Sequence, residues 1–308
     1  MSIGIRAVSA YRPETRLDNL AAAAGLDADP AFVADKIGLL HLSRKAADQD
    51  TSDLACAAAR RLFAEHGLAP EAVECLVLVT QTPDHRGLPH TSAVVHHKLA
   101  LPSHCAVFDI SLGCSGYVHG LAVAKAFMQA QGFRNGLLLT ADPYSKIVDP
   151  TDRDTALLFG DGASATWLSD DPVWQLGPCD FGIASGQHAA LQVDDAGRLA
   201  MNGRAVFNFA ASQVPLSVAR LLAKAGLTMA DIDLALLHQG SRYIVESLAK
   251  RIGAENKAPF AATEYGNTVS SSVPMLLAEH VPEAARRLLL CGFGVGLAWA
   301  TCLLEKAK

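Results

Sequence analysis

Charge is scarce in this chain of 308 residues: only 19% are Asp, Glu, Lys or Arg, and the acids (31) outnumber the bases (26). The net charge of −5 leaves no basic footprint of the kind that neutralises phosphates, so no nucleic-acid partner is expected. Long apolar runs are missing as well. No stretch approaches the ~18 uncharged residues that a membrane-crossing helix requires, and no membrane partner is expected. The opening segment MSIGIRAVSAYRPETRL has no basic stretch followed by an apolar one, which reads as no signal peptide. Cysteines are present but form no even framework. The seven (Cys56, Cys75, Cys105, Cys114, Cys179, Cys291, Cys302) are scattered through apolar contexts, as reduced thiols of a cytoplasmic protein would be.

Apolar residues, by contrast, are plentiful, at 50% of the chain. Such a composition fits one large buried domain or two smaller ones, and neither disorder nor a coiled coil. The chain also repeats itself. Residues 58–81 (AARRLFAEHGLAPEAVECLVLVTQ) match 218–239 (VARLLAKAGLTMADIDLALLHQ): each gives an amphipathic helix, a Gly-Leu turn and an apolar strand. Phe159-Gly160-Asp161-Gly162 is echoed by Phe293-Gly294-Val295-Gly296, and FDISLGCSGY by AATEYGNTVS, which sets Cys114 opposite Asn267. Three echoes in the same order predict two α/β halves, residues 1–169 and 170–308. The continuous apolar strands LVLVT, GLLLTA and LALLH are those of a sheet covered on both faces. Ligands of such sheets bind beyond the strand ends, where helices begin.

Three polar residues stand at such ends. Cys114, flanked by glycines, precedes a long helical pattern; orphan backbone N–H groups and the helix dipole there favour thiolate, and predict a pKa below the usual ~8.5. His238 ends the strand LALLH, and Asn267 follows Tyr265-Gly266. The other cysteines read as inert core residues. The histidines at 85, 90, 96, 97 and 104 offer no tetrahedral spacing, so no metal is expected. FGDG and GFGVG open strands where a phosphate cradle would open a helix.

The segments GCSGYVHGLAVA, LLFGDGASA, MNGRAVFNFA, LLHQGSRYIVESLAKRIG, YGNTVSSSVPMLL and CGFGVGLAW resemble β-ketoacyl-acyl carrier protein synthase III of the thiolase superfamily. The resemblance runs nearly end to end. It implies a five-layered αβαβα fold, a homodimer, and acyl-CoA and an acyl carrier protein as partners, with no cofactor. Cys114 is then the acyl-accepting nucleophile, with its own N–H and that of Val295 as oxyanion hole. His238 and Asn267 would stabilise the enolate formed when a malonyl thioester loses carbon dioxide. Asn267 separates the chain from the Cys/His/His elongating synthases, and Cys291 lacks the Cys-x-Gly spacing of a thiolase.

The resemblance also assigns Phe32, Lys36 and Arg153 to the CoA entrance, with Phe32 where relatives carry tryptophan and Lys36 where they carry arginine. Leu88 replaces a phenylalanine that caps the acyl pocket across the dimer, which predicts a primer longer than acetyl. Ser241, Tyr243 and Asn208 depart from the family pattern near the carrier-docking face; Lys250, Arg251 and Lys257 are the remaining basic candidates for an acidic partner. A specialised-metabolite condensing enzyme or acyltransferase of the same fold is the second reading, and a non-catalytic partner subunit the third.

Overall fold

The computed structural model describes residues 2–307. Nine strands form one continuous sheet: β1 (Gly4–Tyr11), β2 (Cys75–Val79), β3 (Ala106–Ile110), β4 (Asn135–Ala141), β5 (Ala163–Ser169), β6 (Trp174–Ile183), β7 (Leu234–Leu237), β8 (Arg287–Gly294) and β9 (Ala298–Lys306). Their spatial order is β7-β8-β9-β6-β1-β5-β4-β2-β3. From β1 outward the pairings run antiparallel to β5, antiparallel to β4, then parallel to β2 and β3. From β6 outward they run antiparallel to β9, antiparallel to β8, then parallel to β7. The same pattern thus occurs twice, with β3 as an additional edge strand of the first set, and β1 and β6 join the two through the pairs Gly4–Gln175 and Ile5–Trp174.

Six helices complete the layers: α1 (Thr51–His66), α2 (Thr91–Lys98), α3 (Gly116–Gln131), α4 (Gly203–Ala225), α5 (Arg242–Ile252) and α6 (Ser272–Glu279). α1 and α2 cover the outside of the first strand set, and α4, with α5 against it, covers the outside of the second. α3 and α6 contact strands of both sets and lie between them. The result is the five-layered αβαβα sandwich of thiolase-like proteins.

Strand alternation explains the layering. Val77 and Val79 of β2 and Leu288 and Leu290 of β8 face the central core, where they meet Tyr117, Val118, Leu121 and Met128 of α3. Leu76 and Leu78 face the outer core beneath α1, and Leu289, Cys291 and Phe293 the one beneath α4. A period of two on strands buried on both faces gives each strand two cores. Among the described residues α4 alone has the length and hydropathy of a membrane span, yet it packs on β6, β8, β9 and α5.

Candidate active site

The nucleophile turn rests on the end of β8. Cys114 sits in the turn Gly113–Ser115, closed by Gly116 N–H donating to the Gly113 carbonyl at 2.7 Å. That turn approaches β8 so closely that a Cβ on Gly292 would lie 2.5 Å from the Cys114 carbonyl oxygen, and one on Gly294 2.7 Å from its Sγ. Glycine at these two alternate positions of one strand face is what lets the thiol settle there.

The helix-start expectation for this thiol is overturned. α3 begins at Gly116 with Ser115 as its N-cap, so Cys114 stands outside the first turn, and it is buried. Burial pushes the thiol up to about 12; the Val295 N–H and its own N–H oppose the rise, and the Asp142 carboxylate adds to it. The resting group is a thiol. Both backbone N–H groups named from the sequence, those of Val295 and Cys114, do face the sulfur.

His238 follows β7, its N–H donating to the Cys291 carbonyl of β8 at 2.8 Å. The ring is buried, edge-on to Phe293 at 5.4 Å, and burial depresses its pKa to about 3 against a raising hydrogen bond to the Val269 backbone. Its Nδ1 lies 2.6 Å from Ser272 Oγ, which also accepts the Gln239 N–H at 3.5 Å. With the serine donating to Nδ1, the ring proton would lie on Nε2.

Asn267 lies on the strip that bridges Phe159; its N–H donates to the Leu158 carbonyl and its carbonyl accepts from Gly160 N–H. Its Oδ1 accepts the Val269 N–H at 2.9 Å, so the amide nitrogen is the group left to donate. It precedes α6 by five residues, with the 3-10 turn Val269–Ser271 between, whereas Cys114 precedes α3 by two. The two turns are therefore counterparts in order and differ in length.

Sequence reasoning missed the serines that follow. Ser270 donates to Asp142 Oδ2, Ser271 lies 2.7 Å from Thr140 Oγ1, which also bonds Ser164, and Ser272 holds His238. Three consecutive serines after a turn read as loop filler; only their three different partners reveal them as staples.

Apart from the buried Ser241, the remaining candidates lie at or near the surface. Phe32 (53% exposed) ends the short helix Pro30–Phe32, and Arg153 opens another, Arg153–Ala156. Lys36 is in the turn Val33–Ile37, which packs on α5 and brings its Nζ 5.3 Å from the Tyr243 ring centroid. Tyr243 stacks on Phe207 at 5.2 Å, and Arg242 covers Phe260 at 4.9 Å. Ser241 caps α5, its Oγ accepting the Ile244 N–H. Leu88 is 85% exposed and lines no buried pocket of its own chain. Lys257 proves to be structural: its Nζ donates to the carbonyls of Met229, Ala230 and Ile232. Among the described residues no three His, Cys, Asp or Glu side chains cluster as a metal site.

The profile of 3-oxoacyl-(acyl-carrier-protein) synthase III matches residues 108–182, and that of its C-terminal domain residues 222–306. The β-ketoacyl-(acyl-carrier-protein) synthase III of Staphylococcus aureus (strain JH1) is 33% identical over 317 residues, covering all of both chains. The chain belongs to the synthase III family. A crystal structure of a 3-oxoacyl-(acyl-carrier-protein) synthase III at 35% identity superposes with a TM-score of 0.92, covering 99% of this chain and 100% of that one. The synthase from Burkholderia xenovorans LB400, 31% identical, also gives 0.92, over 100% and 95%. The synthase III family is one of acyl-transferring condensing enzymes. In this chain the Cys114 turn rests on Gly292 and Gly294 of β8, the His238 ring stands edge-on to Phe293 of the same strand, and Asn267 binds the N–H of Val269, whose backbone also meets that ring.

Proposed function

We propose that this chain primes fatty-acyl synthesis by a two-step reaction at Cys114, with His238 and Asn267 serving the second step. In the first step the thiol attacks the carbonyl of an acyl-CoA. A carbon–sulfur bond to Cys114 forms, the bond to CoA breaks, and the proton leaves on the CoA thiol. The Cys114 and Val295 N–H groups would hold the tetrahedral oxyanion. In the second step a malonyl thioester on an acyl carrier protein loses carbon dioxide. His238 Nε2–H and Asn267 Nδ2–H donate to its thioester carbonyl while the enolate forms. The enolate carbon then attacks the acyl group on Cys114, releasing the sulfur and giving a β-ketoacyl thioester. Loss of carbon dioxide drives the bond formation, so the chemistry needs no cofactor.

The observation that carries this reading is the orientation of the two donors. Asn267 Oδ1 and His238 Nδ1 are both engaged by internal bonds, so the Asn267 amide nitrogen and the Nε2 side of His238 are the groups that would meet a substrate oxygen. A neutral, dehydrated imidazole suits donation to a developing enolate better than it suits proton abstraction from the thiol.

The finer substrate assignments belong to the same proposal. Phe32, Lys36 and Arg153 would meet the CoA, which enters where the Val33–Ile37 turn meets α5. The chain acts in the cytoplasm as a homodimer without a membrane partner, with the open edge of β3 available to pair with a second copy. In that dimer the exposed Leu88 would cap the neighbouring acyl pocket and, being smaller than phenylalanine, admit a primer longer than acetyl. Residues 1–169 carry the nucleophile and 170–308 the two donors. Lys250 and Arg251 remain as basic contacts for the carrier.

Incubation with acyl-CoAs of graded length should give an acyl-Cys114 adduct by mass spectrometry, absent in Cys114→Ala. Malonyl-acyl carrier protein should then yield β-ketoacyl product and carbon dioxide. Acylation without condensation would make the chain an acyltransferase for another acceptor, and no acylation with any primer would make it a non-catalytic subunit.

A further inference from the structure

Asp142, directly after β4, is a fully buried carboxylate with no part in the reaction described above. Its Oδ1 accepts the Gln81 N–H at 2.6 Å and Thr80 Oγ1 at 3.3 Å, and its Oδ2 accepts the Ser270 hydroxyl. Thr80 and Gln81 follow β2; Ser270 belongs to the Asn267 turn. Gln81 in turn backs the nucleophile: its Oε1 accepts the Tyr144 hydroxyl at 3.1 Å and would lie 2.4 Å from a Cβ on Gly113. One carboxylate therefore ties the turn that carries Asn267 to the residue behind Cys114.

The choice of an acid is what needs explaining. A buried carboxylate without a counter-ion is costly, and all these partners are neutral. One residue along, the same stapling is done by uncharged groups, Ser271 with Thr140 and Ser164. Packing alone would be served by an asparagine. The ionisable groups that face Asp142 are Cys114 and Tyr144, both pushed up chiefly by burial and further by its charge. β2 and the Asn267 turn face it with Thr80, Gln81 and Ser270, none of which ionises.

Resting on the two-step reading above, we infer that Asp142 is a positioning residue for decarboxylation. It clamps Ser270, and through it the Asn267 amide, while its other oxygen holds the Gln81 backbone behind Cys114. It touches no substrate.

The test uses Asp142→Asn, which keeps the shape and removes the charge, and Ser270→Ala, which removes the same clamp from the other side with little risk to folding. Both variants should form the acyl-Cys114 adduct at least as fast as the parent. Both should release carbon dioxide from malonyl-acyl carrier protein about tenfold more slowly, as loss of one charge-assisted hydrogen bond predicts. The double variant should be no slower than the worse single one. In both variants the loss should fall on carbon dioxide release and spare acylation, a split between half-reactions that a merely structural role would not give. Unchanged decarboxylation or an equal loss in both half-reactions would overturn the inference. A parent enzyme that makes no β-ketoacyl product would instead sink the functional reading.

Discussion

His238 Nδ1 and Ser272 Oγ lie 2.6 Å apart, and this one contact couples the strand β7 to the start of α6. It settles which ring nitrogen faces outward. Replacing Ser272 by alanine would free the tautomer and leave the buried ring one partner short. Decarboxylation of malonyl-acyl carrier protein should fall about tenfold, as expected for one hydrogen bond, while acylation of Cys114 continues. Equal losses in both half-reactions would show that Ser272 merely supports the fold.

Asn267→Asp is a near-isosteric change that turns the one donating atom into an acceptor. The Val269 N–H keeps its partner, so the turn should hold. A carboxylate opposite the thioester carbonyl repels the developing enolate, and carbon dioxide release should drop by about a hundredfold or more. Unaltered release would remove Asn267 from the reaction.

Gly294→Ala places a methyl 2.7 Å from the Cys114 sulfur and 2.8 Å from its Cβ. Both contacts are far inside van der Waals distance, and the nucleophile turn must move to accommodate them. The acyl adduct should be lost or slowed by more than about tenfold, since small displacements of a reacting atom are costly. An adduct forming at the parental rate would mean that the sulfur does not react where it rests.

Much of this was legible in the sequence, for identifiable reasons. The echo of residues 58–81 in 218–239 marks α1–β2 and α4–β7, and hydrophobic continuity marks strands with a core on each face. Cys114, His238 and Asn267 were visible because polar residues at the ends of apolar elements are conspicuous. What stayed hidden depends on long-range contacts. Asp142 sits in TADPYS, which reads as a turn, and its partners are 61 and 128 residues away. The Cys114 pKa went the wrong way because the local signal, a helix start, is weaker than dehydration against Gly292 and Gly294, which no local window contains. Lys257 reads as a solvated charge, yet three carbonyls of the loop before β7 engage it.

The dehydrated thiol has a direct signature. With its pKa near 12, Cys114 in the substrate-free enzyme is almost wholly protonated at neutral pH. Alkylation by iodoacetamide, which needs thiolate, should be slow at pH 7 and still rising above pH 9. A plateau reached below pH 8 would restore the helix-start reading and contradict burial as the dominant influence.

Stability against acid should report the neutral His238. In the native state its pKa is about 3, whereas an unfolded histidine titrates near 6.5. Between those values the unfolded chain binds the extra proton, so this residue's contribution is intact above about pH 6.5 and is lost as the pH falls towards 3. The slope reaches about 1.4 kcal/mol per pH unit at most. Asp142 acts in the opposite sense: its carboxyl, raised to about 6 chiefly by burial, favours the native state on acidification between its unfolded value and 6. That contribution is common to the parent and a His238→Gln variant and cancels in their difference. Urea unfolding at pH 7, 5.5 and 4.5 should therefore show the parent losing stability more steeply than His238→Gln. Parallel declines would mean that the imidazole is charged, or solvated, in the folded protein, and could not serve as the neutral donor assigned to it.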